Sequence, residues 1–159
     1  MKTFLIIGNP NTGKTTVFNA LTGLQQNVGN YPGVTVEKKS GSFEFKGEKI
    51  QLIDLPGTYS LTPNSPDETI SANIVLGTYQ TEHNIDGVIV VADSTNLSRN
   101  LYLATQIIDC GLPTILVLNM SDALEKQGRN IDIKAIGHEL GVPAVLTAAH
   151  KKQGIAELK

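Results

Sequence analysis

Apolar and polar positions fall into short blocks along this chain, and the blocks carry two periods. Phe4–Ile7 is an apolar run that stops at a glycine-rich turn. Beyond it, Val17, Phe18 and Leu21 recur at helical spacing over Lys14–Thr22, with Gly23 as the stop. Ser42–Phe45 and Ile50–Ile53 are strand-like runs around the turn Lys46-Gly47-Glu48. Ser65-Pro66-Asp67-Glu68 opens a helix, with an N-cap serine, a proline at the first helical position and a glutamate to close a capping box. Val88–Ala92 and Thr114–Leu118 are continuously apolar, the pattern of parallel strands covered on both faces. Between them Leu101, Ala104, Ile107 and Ile108 form one face of a helix. Asp132–Leu140 predicts another helix that ends at Gly141, Val142–Leu146 a last short strand, and Ile155–Lys159 the start of a further helix. Alternation of this kind predicts an α/β fold, a mostly parallel sheet between two layers of helix. The least regular stretches, Leu24–Lys39 and Gly57–Asn64, are the loops expected to carry function.

Composition narrows the classes. A chain of 159 residues with 40% apolar and 18% charged positions suits one domain with an ordinary surface. Net charge is −2 and no run of Lys or Arg exceeds two, so a nucleic-acid face is not expected. Cys110 is alone and is expected to be half-buried and inert at a helix end. His83, His138 and His150 are too scattered to suggest a metal site. No apolar stretch approaches the roughly 20 residues that span a bilayer, and no signal peptide is visible, so these residues are expected to be soluble and cytoplasmic.

The strongest chemical signal follows the first strand. Gly8-Asn9-Pro10-Asn11-Thr12-Gly13-Lys14-Thr15 fits G-x-x-x-x-G-K-S/T, with Thr16 next in the helix. The glycines let backbone N–H groups wrap a phosphate. Lys14 sets a cation on the β- and γ-phosphates, the Thr15 hydroxyl ligates Mg²⁺, and the helix aims its positive end at the anion. A strand before and a helix after supply the right context. The fold expected is therefore that of the three-layer P-loop NTPases, of the Ras-like GTPase kind.

Asn119-Met120-Ser121-Asp122 directly follows a strand end, where ligands gather in α/β sheets. Asp122 can accept two hydrogen bonds from guanine N1–H and the N2 amine, which adenine lacks, and Asn119 can tie loops together. Alone, N-x-x-D is equally a polar loop cap; its order after the phosphate loop favours base reading. Met120 stands where GTPases carry Lys, whose apolar stem packs on the base, a contact Met can also make. Thr147-Ala148-Ala149-His150 is similar to the last GTPase loop, with Ala149 supplying an N–H to guanine O6; the alternative is an ordinary strand-to-helix connection.

Asp54-Leu55-Pro56-Gly57 ends another strand. Asp54 can hold Mg²⁺ through a water, and the Gly57 N–H can meet the γ-phosphate. Upstream, Gly33, Val34 and Thr35 lie in the irregular loop, with Thr35 the natural second hydroxyl for Mg²⁺; such a loop orders around metal and γ-phosphate and so acts as a switch. Thr58 occupies the place of the usual water-orienting glutamine, so intrinsic hydrolysis is expected to be slow. Arg99 and Arg129 are the only arginines and neither is in a switch. A transition-state cation is still needed. Asn11 can help bind K⁺ beside the phosphates, or it is only a turn residue. Lys14, Thr35, Asn11 and Gly57 are thus the expected catalytic set.

With these residues in place a family resemblance appears. G-N-P-N-T-G-K-T-T-V-F-N-A-L-T-G, V-G-N-Y-P-G-V-T-V-E, D-L-P-G-T-Y-S-L, D-S-T-N-L-S-R-N-L-Y-L and L-N-M-S-D resemble the GTPase domain of FeoB-type ferrous iron transporters, from Lys2 to the last residue. The resemblance implies a module on the cytoplasmic face of a bacterial plasma membrane that binds GTP and GDP. A helical domain and a membrane permease would follow as partners, and an oligomer is possible. It implies K⁺ held by Asn11 with the carbonyls of Gly29 and Tyr31, Mg²⁺ held by Thr15 and Thr35, and guanine read by Asn119 and Asp122. Tyr31 stands where the family usually has Trp. The competing reading is a K⁺-stimulated GTPase of the tRNA-modification or ribosome-assembly type, which the acidic balance and the N-Y-P-G-V-T-V-E loop disfavour.

Overall fold

The two apolar runs Val88–Ala92 and Thr114–Leu118 become neighbours inside one sheet. The computed structural model describes residues 1–159. Its strands are β1 (Lys2–Gly8), β2 (Gln26–Asn30), β3 (Glu37–Phe45), β4 (Glu48–Asp54), β5 (Gly87–Asp93), β6 (Thr114–Asn119) and β7 (Ala144–Leu146). They lie in the order β2-β3-β4-β1-β5-β6-β7. β4, β1, β5, β6 and β7 run parallel, and β3 and β2 extend the sheet antiparallel at one edge. Leu5, Ile7, Val88, Val90, Leu116 and Leu118 point into one core, and Ile6, Ile89, Val91 and Val117 into the other. Alternate residues of one strand thus serve opposite layers, which is why these strands are apolar throughout.

The helices are α1 (Lys14–Thr22), α2 (Pro66–Val75), α3 (Leu97–Asp109), α4 (Ser121–Lys126), α5 (Ile133–Leu140) and α6 (Ile155–Leu158). α1 and α6 cover one face; α2, α3 and α5 pack on the other. α1 starts and stops as its apolar spacing predicts, capped by Gly23 with a left-handed φ of 66°. At α2 the Ser65 hydroxyl accepts the Glu68 N–H at 3.2 Å. The Glu68 carboxylate accepts the N–H of Asn64 rather than that of Ser65, so the capping box closes one residue early.

Two expectations are corrected, and one helix is added. The stretch Leu24–Lys39 is not wholly irregular: Gln26–Asn30 is an edge strand, in register from Gln26 opposite Gly41 to Asn30 opposite Glu37. All five of its residues are exposed, so it buries no face and has no alternation for the sequence to show. α4, a helix not read from the sequence, begins inside the Asn119–Asp122 motif, at Ser121. Cys110 is exposed rather than half-buried, because it caps α3 on the solvent side, with its thiol 3.3 Å from the Gln106 carbonyl.

Candidate nucleotide site

The parallel strands deliver their carboxyl ends to one edge of the molecule, and the predicted motifs meet there. The phosphate loop leaves β1 at Gly8, where β1 pairs with β5. A Cβ on Gly8 would stand 2.3 Å from the Val91 carbonyl oxygen, so only glycine lets the loop depart at this place. Asn11 and Gly13 both take left-handed backbone, with φ of 64° and 79°. Asn11 therefore has a turn role whatever else its amide does. The Thr12 hydroxyl donates to the Asn9 carbonyl at 3.0 Å and closes the loop on itself.

Asn119 joins three segments. Its Nδ2 donates to the Thr12 carbonyl at 2.9 Å. Its Oδ1 accepts from the Thr147 hydroxyl at 2.9 Å and from the Ala149 N–H at 3.0 Å. A Cβ on Gly13 would fall 2.3 Å from that Nδ2, so the second glycine of the motif makes room for the asparagine of another. This bears out Asn119 as the tie between loops. It also shows that the Ala149 N–H expected on guanine O6 is already engaged by Asn119. Met120 has a φ of 64° and lays its methyl against Gly13 of the phosphate loop. The last loop is held by mutual hydrogen bonds of 3.2 Å between Ala148 and Gln153.

Asp122 begins α4. Its Oδ2 lies 3.2 Å from His150 Nε2 and 3.3 Å from Lys151 Nζ. Burial alone would raise the Asp122 pKa. The Lys151 hydrogen bond, the charges of His150 and Lys151 and the Ala123 N–H outweigh it and hold the carboxyl below the usual carboxylate range.

At the opposite end, Lys14 and Asp54 form a close ion pair, both largely buried. Lys14, Thr15, Asp54, Leu55 and Pro56 line one cavity. Thr15 and Asp54 are hard oxygen donors of the kind that suits Mg²⁺ directly or through water. Gly57 comes against Pro10, and the Thr58 N–H donates to the Gly8 carbonyl at 3.1 Å, which brings the D-x-x-G segment onto the phosphate loop. The Thr58 side chain is fully buried and its hydroxyl donates to the Ser60 carbonyl at 2.7 Å.

Thr35 is not brought to this cavity; it and its neighbours Gly33 and Val34 are exposed. Of the expected K⁺ ligands, Gly29 is opposite Lys38 in the β2–β3 ladder, and the Tyr31 carbonyl accepts the Val34 N–H at 3.2 Å. Tyr31 itself is buried. Its ring meets Tyr79 edge-on at 6.2 Å, and its hydroxyl lies 3.4 Å from the Asp54 carbonyl. Sequence reasoning missed Lys39 and Asp67, which line the Lys14–Asp54 cavity, and Arg99, whose guanidinium stacks 4.3 Å from the Tyr59 ring. Lys39 was legible only through register: it stands opposite Asp54 across β3 and β4. No group of three or more His, Cys, Asp or Glu side chains is gathered into a metal-binding cluster, and no helix is long and apolar enough to cross a membrane.

Comparison with known proteins agrees with this geometry. The family described as Ferrous iron transport protein B matches residues 2–159. The Fe(2+) transporter FeoB of Salmonella typhimurium is 47% identical over 158 residues, covering 97% of this chain and 20% of that protein. The chain therefore spans about one fifth of the length of the curated relatives it matches. The cytosolic domain of L. pneumophila FeoB superposes with a TM-score of 0.91 at 45% identity, over 99% of this chain and 65% of that one. An S. thermophilus NFeoB N11A mutant bound to mGDP superposes with a TM-score of 0.90 at 44% identity, over 99% of this chain and 58% of that one. A family match from residue 2 to residue 159, on a scaffold shared with these proteins throughout its length and with the phosphate loop tied through Asn119 to the last loop, places the chain in the family of ferrous iron transport protein B.

Proposed function

We propose that this chain is the guanine-nucleotide-binding module of a ferrous iron transporter, one that binds GTP and GDP with Mg²⁺ and hydrolyses GTP slowly. The observation that carries the reading is the Asn119 network. One buried side chain links the phosphate loop, the base-reading segment and the last loop, so the phosphates and the base are held by a single unit. The FeoB domains of known structure that bind GDP share this scaffold.

Asp122 accepts from guanine N1–H and N2. Gly8, Asn9, Pro10, Asn11, Thr12 and Gly13 wrap the phosphates, and Lys14 exchanges Asp54 for the β- and γ-phosphate oxygens. Asp54, Thr15 and an inward-moving Thr35 would hold Mg²⁺, which neutralises charge on the transferring phosphoryl group. Gly57 offers its N–H to the γ-phosphate. Thr58 is turned inward and orients no water, so turnover is slow. Asn11, with the carbonyls of Gly29 and Tyr31, would take K⁺ once β2 and the Tyr31–Val34 turn rearrange around bound nucleotide. In the longer chain, hydrolysis regulates or powers Fe²⁺ passage through a permease on the bacterial plasma membrane, with this module on the cytoplasmic side. Membership of the iron-transport family sets aside the RNA-directed alternative.

The test is GTP turnover in K⁺ and in Na⁺ at equal ionic strength, with ATP as control. Stimulation by K⁺ that disappears in Asn11→Ala supports the cation site. Equal rates in the two salts would leave Asn11 as a turn residue, and hydrolysis of ATP at the GTP rate would overturn the base assignment.

A further inference from the structure

The base-reading end holds a contact that the reaction above does not use. Asp122 must offer both carboxylate oxygens to guanine, because N1–H and the N2 amine point the same way from one edge of the base. In this structure one oxygen is taken twice. His150 Nε2 approaches Oδ2 at 3.2 Å and Lys151 Nζ approaches the same atom at 3.3 Å. Both side chains therefore crowd the same oxygen, Oδ2, the one each approaches most closely. Both partners come from the turn immediately after Ala149, so the last loop reaches back over the base-reading segment and covers half of its acceptor. Nε2 can donate whether the imidazole is neutral or charged, provided its proton sits there.

We propose that His150 and Lys151 clamp Oδ2 of Asp122 against the incoming base, and so set both guanine-nucleotide affinity and the preference for guanine over hypoxanthine. The proposal rests on the assignment of Asp122 as the base acceptor. Its chemistry turns on the N2 amine. Hypoxanthine has N1–H but no exocyclic amine, and needs one acceptor, which Oδ1 supplies with the clamp in place. Guanine needs two, and its second hydrogen bond forms only when a cation leaves Oδ2. The clamp therefore penalises guanine and spares hypoxanthine, which compresses a selectivity the bare carboxylate would express in full. The clamp is weak enough to yield: the His150 and Lys151 side chains are 59% and 47% exposed, whereas Asp122 is 14% exposed. Ion pairs with exposed partners of this kind change equilibria by up to about fivefold each. The lowered pKa of Asp122 agrees with a carboxylate that stays ionised, and so stays an acceptor, through neutral pH.

The test is the affinity of the chain for GDP and for IDP, measured by displacement of a fluorescent GDP analogue from the wild type, His150→Ala, Lys151→Ala and the double variant. The double variant should bind GDP about three- to fivefold more tightly and IDP as the wild type does, which widens the GDP:IDP ratio. His150→Gln, which keeps a donor, should stay nearer the wild-type ratio than His150→Ala. An unchanged ratio in the double variant, with GDP still bound by the wild type, overturns the clamp and leaves the site assignment standing. Weaker GDP binding in the double variant overturns it too, because the two residues would then be orienting the carboxylate for the base. A wild type that binds neither GDP nor IDP removes the assignment and the clamp together.

Discussion

The two ends of the nucleotide site are built on opposite principles. At the base end, Asn119 is 4% exposed, and both its amide nitrogen and its oxygen are engaged by buried partners. At the metal end, Gly33, Val34 and Thr35 stand in solvent and the whole of β2 is exposed, with Tyr31 and Val36 as the buried anchors of the segment. At one end the loops are already tied together before any ligand arrives. The other has its donors in sequence but not in place. On the proposed function, a rigid base end and a tethered metal end would leave the ordering to the nucleotide, and above all to its γ-phosphate, which is what a switch requires.

The comparison breaks most visibly at Asn119. Asn119→Ala strands the Thr12 carbonyl, the Thr147 hydroxyl and the Ala149 N–H, and each buried group left without a partner costs about 1–3 kcal/mol. We expect a loss of roughly 3 kcal/mol or more in stability and about a hundredfold weaker GDP binding, read by chemical denaturation and equilibrium titration. If the variant melts as the wild type does, the base end is not a prebuilt unit.

Tyr31→Ala should act in the contrary sense. It removes a buried ring packed on Tyr79 and destabilises by about 3 kcal/mol, yet the phosphate loop and Asn119 keep their contacts. GDP affinity should therefore hold within a factor of about three, since no Asn119 contact is lost, while any K⁺ stimulation of turnover falls. A large loss of GDP binding would mean that the two ends are coupled before the γ-phosphate arrives.

These differences also decide which features the sequence alone reveals. The phosphate loop, α1 and the Asn119–Asp122 segment were legible because their residue types are dictated locally, by positive φ, by close approach and by a strand end. β2 was not, because an edge strand that buries nothing has no periodicity. The hold of His150 and Lys151 on Asp122 was invisible for another reason: the residues lie 28 and 29 positions from their partner, and only the β6–β7 pairing brings them together. The role of Tyr31 was half legible. Its place in the switch sequence was plain, but its burial against Tyr79 depends on where the end of α2 falls.

Thr58→Gln sharpens the metal end at a smaller scale. The substitution restores the residue type that orients water in many GTPases, yet Thr58 is fully buried and bonded to Ser60. A longer side chain has no room there and should cost about 1–3 kcal/mol, with no gain in GTP turnover. A clear acceleration would show that residue 58 turns outward in the GTP state.

The smallest effects separate the two ends by pH. The Asp122 carboxyl is depressed in the folded chain, so its contribution to stability is complete above the ordinary carboxylate range and fades as pH falls through the folded value. The Tyr31 phenol is shifted the other way, upward, first by burial and then by the charges of Asp54 and Tyr79. Its contribution is complete below about pH 10, the ordinary phenol value, and fades as pH rises beyond it. Acid should therefore report on the base end and alkali on the switch end. In melting curves from acid to alkali, Asp122→Asn should fall below the wild type at neutral pH and converge with it below about pH 4. Tyr31→Phe should lack the part of the alkaline loss that the wild type owes to its phenol. If the two alkaline limbs coincide, the Tyr31 hydroxyl is already in water, and the loop it anchors is free of the sheet even without nucleotide.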